Sequence, residues 1–292
     1  MVKADNSPRF EDTVSEIDAG LKAVLESGEA LLAAIPKPAT IVQPFDGEAS
    51  AELGALRLEF LIEQKSSYGK LASHVMRIGD AVDDERAVFV QRENPQPSDI
   101  AVGFFSKRLM RRRIEQRAGR SGGIERLRTM LGRADRLAGL IEAHRRTVTG
   151  QRTTAENALA GLAGLRAIDA SDAASGGEDH SAMDGVGNMH GKLDFERMVG
   201  QVDTVARALN AGVRDLNLLL QKLNLDIENL LDLYSVLLSF DRDREAHSLS
   251  PDAYPHLARP VWRLGHELLP GGRLERSRQR TDVAFAKRFE GA

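Results

Sequence analysis

The side chains best suited to bind a metal ion lie together in one glycine-rich segment. Carboxylates and imidazoles are common metal ligands, and this segment contains Glu178, Asp179, His180, Asp184 and His190. No hydrophobic pattern around them would hold such ligands in a fixed geometry, so we interpret the segment as a solvated polar loop. The chain has no cysteine, which excludes thiolate ligands and cysteine nucleophiles. We therefore expect no metal ion and no cofactor.

Motifs for phosphate binding and nucleophilic catalysis are missing from the chain. The glycines of Gly119–Gly123 lack the Lys-Ser/Thr pair of a P-loop, and Gly185–Gly191 has one residue too many for a dinucleotide-binding turn. The letters G-x-S-x-G occur at Gly119–Gly123, but they follow a predicted helix and not the strand that a nucleophile elbow requires. The other histidines lack the spacing of metal or protease motifs; they are His74, His144, His247, His256 and His266. We expect a protein that is not an enzyme and has no small-molecule substrate.

An aromatic pair, Phe104 and Phe105, directly precedes a cluster of cations. The cluster consists of Lys107, Arg108, Arg111, Arg112, Arg113 and Arg117. An aromatic wedge beside cations is typical of helices that lie on anionic membranes. The same cations would also suit the phosphates of a nucleic acid. In a third interpretation, which stays open, the two phenylalanines anchor a core and the arginines are solvated or paired.

Charge is segregated along the chain, although the formal net charge is only −3. The region Lys107–Arg152 has 14 basic and 4 acidic residues, whereas Asp169–Ala246 has 7 basic and 15 acidic residues. Blocks of opposite sign can neutralise one another when helices pack together, or the basic block can face an anionic partner. The sequence leaves both alternatives open.

The segment Phe104–Leu165 resembles the TelA-like toxic-anion (tellurite) resistance family. The resemblance consists of the aromatic-basic stretch Phe104–Lys107, the heptad-like helix IERLRTMLGRADRLAGLIEAHRRTV (Ile124–Val148) and the tripeptide Asn157–Leu159. It implies a soluble helical protein with a role in tolerance to oxyanions or to envelope stress. It implies no catalytic residue.

Composition and periodicity predict an all-α fold of long helices, arranged as a bundle or coiled coil. Aromatic residues are only 5% of the chain, and apolar residues recur at helical spacing. An N-terminal region, 1–169, is expected to contain helices at about 10–35, 48–90, 99–118 and 124–168. We expect Ser98 to cap the third of these helices, and a break near Gly79 in the second.

The rest of the chain, residues 170–292, is predicted to consist of a linker, a long helix and a tail. Residues 170–191 are rich in Gly, Ser and Asp, which is typical of a flexible linker. Residues 192–246 are expected to form one coiled-coil helix. Prolines divide the tail, 250–292, into short helices at Val261–Leu269 and Leu274–Phe289, the second of which is basic.

The long helix has an apolar seam whose residues alternate in steps of four and three, the spacing of a coiled coil. The seam contains Met198, Val202, Val205, Leu209, Leu216, Leu219, Leu223, Leu230 and Leu237. Asp226 falls on the same row, where it is either a polar residue that sets the register or a sign that the seam drifts towards Ile227. We favour the drift. Such a stripe must be covered, either by the earlier helices or by another chain.

The function most consistent with this pattern is that of a non-enzymatic scaffold or adaptor, which assembles with itself or with partner helices through the seam. The first alternative is a peripheral binder of an anionic membrane or nucleic acid through Lys107–Arg152. The second is the anion tolerance implied by the resemblance. We expect a cytoplasmic protein, with peripheral binding at the inner membrane face under the first alternative.

Overall fold

The computed structural model describes residues 10–37, 47–119, 123–175, 184–239, 249–250, 252–256 and 273–289. All regular elements in these ranges are helices, which confirms the predicted all-α class. They are α1 (Phe10–Ala33), α2 (Gly47–Glu93), α3 (Pro97–Phe105), α4 (Lys107–Gly119), α5 (Gly123–Ser175), α6 (Asp184–Ser239) and α7 (Arg273–Phe289).

Two expected boundaries in the first half of the chain are corrected. Helix α2 continues through Gly79 without a break, and this buried glycine lies close to α6, where a Cβ would be 3.0 Å from Asp226 Oδ2. The single helix expected at 99–118 is two helices, separated by Ser106, which has extended backbone angles (φ −159°, ψ 111°). Ser98 lies inside the first turn of α3, and the cap position is occupied by Gln96.

The linker expected at 170–191 is helical at both ends. Helix α5 continues to Ser175 and α6 begins at Asp184, while residues 176–183 lie outside the described residues. Alanine-rich turns at the end of α5 extend the helix further than the linker composition indicated. In the tail, the basic helix is found as α7, and Val261–Leu269 lies outside the described residues.

The chain forms two compact units. Unit 1 comprises Met1–Gly69 and Ala143–Asn217, and unit 2 comprises Lys70–Glu142 and Leu218–Ala292. Helices α2, α5 and α6 each contribute residues to both units.

In unit 1, α1 packs between α2 and α5 through buried aliphatic side chains and two side-chain bonds to its backbone. The Ser67 hydroxyl donates to the Gly20 carbonyl (3.1 Å), and the Gln151 amide donates to the Leu25 carbonyl (3.0 Å). Gly28 allows the second bond, because a Cβ there would lie 2.7 Å from Gln151 Oε1. These bonds fix the position of α1 along its neighbours.

In unit 2, helix α5 holds both α2 and the segment 252–256. Arg126 forms an ion pair with Glu85 of α2 (3.1 Å), and Asp135 accepts the His256 backbone N–H (2.9 Å). Gly139 lies beneath the His256 ring, which a Cβ at position 139 would meet at 2.7 Å. None of the helices in the described part of the chain combines the length and apolar composition that a bilayer-spanning segment needs.

Candidate functional site

The aromatic pair and the cations lie on the helical hairpin α3–α4 of unit 2. Pro97 occupies the first turn of α3, where its missing N–H has no intrahelical partner to lose. The buried Asp99 carboxylate accepts the Gln96 backbone N–H (2.9 Å). This bond satisfies a backbone donor that would otherwise have no partner at the start of the helix.

Ser106 makes the sharp turn between the two helices. Its N–H donates to the Val102 carbonyl (2.9 Å), which ends α3, and its hydroxyl accepts the Leu109 N–H (3.3 Å), which caps α4. Gly103 lets α4 approach closely, because a Cβ at that position would lie 2.6 Å from Met110 Sδ. The turn therefore places Phe104 and Phe105 at the tip of the hairpin.

Arg117 closes the other end of the hairpin. Its guanidinium forms an ion pair with Asp99 and also donates to the Asn94 carbonyl (3.0 Å). The Gln96 backbone N–H and then Arg117 lower the pKa of Asp99, which keeps the carboxylate charged. Arg117 was expected in the anion-binding cluster, and the structure places it instead in an intramolecular contact.

The hairpin tip is almost completely exposed. Phe104 is 86% exposed and Phe105 is 92% exposed, so neither ring anchors a core. Ile100 and Leu109 are about half exposed beside them. The other five predicted cations are all exposed: Lys107, Arg108, Arg111, Arg112 and Arg113. The only acidic residue of α4 is Glu115. The hairpin thus presents apolar and cationic side chains together to solvent. Folding does not require an exposed apolar patch of this kind, and such patches commonly mark interaction sites.

The predicted seam of α6 lies in the interior of the chain. Its nine residues are all buried: Met198, Val202, Val205, Leu209, Leu216, Leu219, Leu223, Leu230 and Leu237. The chain's own helices cover this stripe, which was the first of the two expected solutions. Assembly with a second chain through the seam therefore stays a prediction without an exposed surface to support it.

The drift interpretation expected Asp226 to turn away from the core, and the structure shows that it does not. It is completely buried, as is Ile227. Lys222, one turn earlier, contacts both of its carboxylate oxygens at 3.0 Å. Burial raises the pKa of Asp226 to about 6, against the opposing effect of Lys222 and Arg278. A charged partner, rather than a change of register, accommodates the aspartate.

Asp226 belongs to an ionic cluster between α2, α6 and α7. We use this name for Asp83, Lys222, Asp226, Arg278 and Asp282. Lys222 also pairs with Asp282 (2.9 Å), and Arg278 pairs with both oxygens of Asp83 (2.8 Å) and, at 3.6 Å, with Asp226. The cluster attaches α7 to the rest of unit 2.

Unit 1 contains a neutral polar pair in its core. The Tyr68 hydroxyl lies 3.0 Å from His144 Nε2, and the two rings meet edge to face, with centroids 5.6 Å apart. Burial lowers the pKa of His144 to about 4 and raises that of Tyr68, so both side chains are uncharged at neutral pH. The pair is enclosed, with His144 and Tyr68 both buried, so it can stabilise the fold but cannot contact a substrate.

Three of the five residues considered for metal binding are not among the residues that the structure describes. Glu178, Asp179 and His180 fall outside the described residues, and Asp184 and His190 lie on the first turns of α6. Elsewhere in the described ranges, no three His, Asp or Glu side chains are close enough to hold a metal ion.

Comparison with known proteins adds no family to this description. No protein-family model, no curated protein and no solved structure matches the chain. The resemblance to the TelA-like family therefore stays an expectation from the sequence.

Proposed function

We propose that this protein is a peripheral binder of anionic lipid surfaces and that the α3–α4 hairpin is its contact element. The observation that carries the proposal is the exposure of Phe104 and Phe105 at a tip surrounded by exposed cations. In this arrangement the rings enter the headgroup region while the cations remain with the lipid phosphates and carboxylates.

The size of the expected effect is compatible with reversible binding. A basic residue near an anionic membrane contributes about 1 kcal/mol, so the four exposed cations Lys107, Arg108, Arg112 and Arg113 contribute about 4 kcal/mol. Burial of an aromatic side chain adds about 1.5–3 kcal/mol when it is complete. Cations alone or aromatic rings alone give marginal attachment, whereas two signals on one element give a stable but reversible one.

A lipid surface fits the hairpin better than a nucleic acid does. The apolar surface at the tip includes the aliphatic Ile100 and Leu109 as well as the two rings. Acyl chains accept aliphatic and aromatic groups alike. Single-stranded nucleic acid requires aromatic faces on which successive bases stack along a cationic groove, and the hairpin has a projecting tip instead of a groove.

Vesicle sedimentation with the full chain tests the proposal. We expect binding to vesicles of equal parts phosphatidylserine and phosphatidylcholine, weak binding to phosphatidylcholine alone, and loss of binding as salt rises above about 0.1 M. Arg108→Gln/Arg112→Gln/Arg113→Gln removes three charges and should weaken binding about 100-fold. Phe104→Ala/Phe105→Ala should weaken it by about tenfold or more.

Matched controls come from exposed positions elsewhere in the chain. Leu58 and Ile62 are 58% and 63% exposed on α2, and Leu58→Ala/Ile62→Ala should leave vesicle binding unchanged. The exposed cations Lys65 and Arg77 provide the charge control, Lys65→Gln/Arg77→Gln. Equal losses in the control and hairpin variants would contradict the proposal. Binding to duplex or single-stranded DNA without binding to anionic vesicles would also overturn it.

A further inference from the structure

The outward face of α7 has the same combination of side chains as the hairpin tip. Arg276, Arg280, Val283 and Lys287 follow one another at steps of four, three and four, and therefore lie on one side of the helix. The three cations are exposed, and Val283 is 70% exposed. Among the described residues, only Phe104 and Phe105 are large apolar side chains with greater exposure.

This face is not needed for the packing of α7. Thr281 and Phe285 are buried on the opposite side of the helix, and the Phe285 ring contacts that of Phe289 with centroids 4.9 Å apart and ring planes at 47°. Arg278 and Asp282 also point inward, since both belong to the ionic cluster. Among the described side chains, Arg276, Arg280 and Lys287 form no ion pair, so their charge is available to an anionic partner.

The attachment point of α7 lies close to the origin of the hairpin. Arg278 holds α7 at Asp83 of α2, and Asn94, directly after the end of α2, accepts the bond from Arg117 of the hairpin. Asn94 lies eleven positions after Asp83, which corresponds to about 16 Å along a helix. This is the distance between the two points of unit 2 from which α7 and the hairpin extend.

We infer that the outward face of α7 is a second contact with the same anionic lipid surface, with Val283 at its centre and the three cations at the headgroups. The inference rests on the proposed function of the hairpin. Charge complementarity identifies the occupant: the face has three unpaired cations around one aliphatic side chain, and the only acidic residue among the described side chains of α7, Asp282, contacts Lys222. Two separate contacts on one unit would bind cooperatively to a membrane.

Site-specific fluorescence distinguishes the two contacts. The chain has no cysteine, so Val283→Cys, Phe105→Cys and Leu58→Cys each give a single labelling site for a polarity-sensitive dye on the full-length protein. On addition of vesicles containing phosphatidylserine, we expect a blue shift of the dye at positions 283 and 105 and none at position 58. All three native side chains are exposed, so the labels do not disturb a core.

The outcomes separate this inference from the proposed function. A shift at position 105 without a shift at position 283 would overturn the inference and leave the hairpin proposal intact. No shift at either position would overturn both. As a second measurement, Arg276→Gln/Arg280→Gln/Lys287→Gln should weaken binding to the same vesicles about 100-fold. Unchanged affinity of this variant would also overturn the inference.

Discussion

The two units bury polar side chains in opposite ways. Unit 1 encloses Tyr68 and His144 as an uncharged pair joined by one hydrogen bond. Unit 2 encloses Asp226 as part of the ionic cluster, with Lys222 and Arg278 as its cationic partners. Both solutions give a buried polar side chain at least one partner, but only the second requires charges to be removed from water.

The comparison indicates that burying a charge costs less where its partner, at the edge of the cluster, remains in contact with solvent. Asp83 and Asp282 remain roughly half exposed, so the cations of the ionic cluster keep one hydrated partner each. Asp226 has no such access and depends on Lys222 and Arg278. The neutral pair needs no hydrated member. Loss of one cation should therefore cost unit 2 more than loss of the hydroxyl costs unit 1.

Loss of the buried lysine should give the largest effect. Lys222→Met leaves Asp226 with a single, longer contact to Arg278, and we expect the free energy of unfolding to fall by about 3–5 kcal/mol. Urea denaturation at neutral pH measures this change. Lys65→Met, at an exposed site, should stay within about 0.5 kcal/mol of the parent protein. The double change Lys222→Met/Asp226→Leu should recover stability, and a failure to do so would argue against an electrostatic cause.

The histidine should make unit 1 sensitive to acid. The pKa of His144 is lowered to about 4 in the fold, so its contribution to the free energy of unfolding is complete above the unfolded pKa of about 6.5 and is lost as pH falls through 4. His144→Gln keeps an acceptor for Tyr68 but cannot be protonated. The advantage of the parent protein over this variant should decrease by about 3 kcal/mol between pH 7 and pH 4. A pH-independent difference would contradict the buried neutral histidine.

Asp226 should change the free energy of unfolding with pH in the opposite direction to His144. The pKa of Asp226 is raised to about 6, so its contribution is complete below the unfolded pKa of about 3.9 and is lost as pH rises through 6. Relative to Asp226→Asn, the parent protein should lose about 2 kcal/mol of stability between pH 4 and pH 7. Denaturation series at several pH values measure it. A difference that grows with pH would mean that the cations outweigh burial.

Loss of the tyrosine hydroxyl should give the smallest effect. Tyr68→Phe leaves His144 Nε2 without its bond to the hydroxyl, and we expect the free energy of unfolding to fall by about 1 kcal/mol. Ser66→Ala removes an exposed hydroxyl two residues earlier and should have an effect within about 0.5 kcal/mol. If Tyr68→Phe cost as much as Lys222→Met, the contrast between the neutral and ionic interiors would be wrong.

Several features of the fold could be predicted from local patterns, and others depended on distant residues. Apolar spacing predicted the helices and the buried stripe of α6. The helix break at Ser106 was missed, because serine occurs within helices as well as at their caps, and the hairpin is closed by Arg117 on a later helix. The exposure of Phe104 and Phe105 could not be predicted, because an aromatic pair suits a core as well as a surface.

The sequence by itself determined that the chain is helical and that one face of α6 is apolar, because the 3.6-residue period that orders a helix is a local property. Only the tertiary structure decided which helices cover that face and which side chains form ion pairs with Asp226. The partner Arg278 lies 52 positions further along the chain, on another helix. Packing between such distant segments depends on the whole fold, which no local pattern specifies.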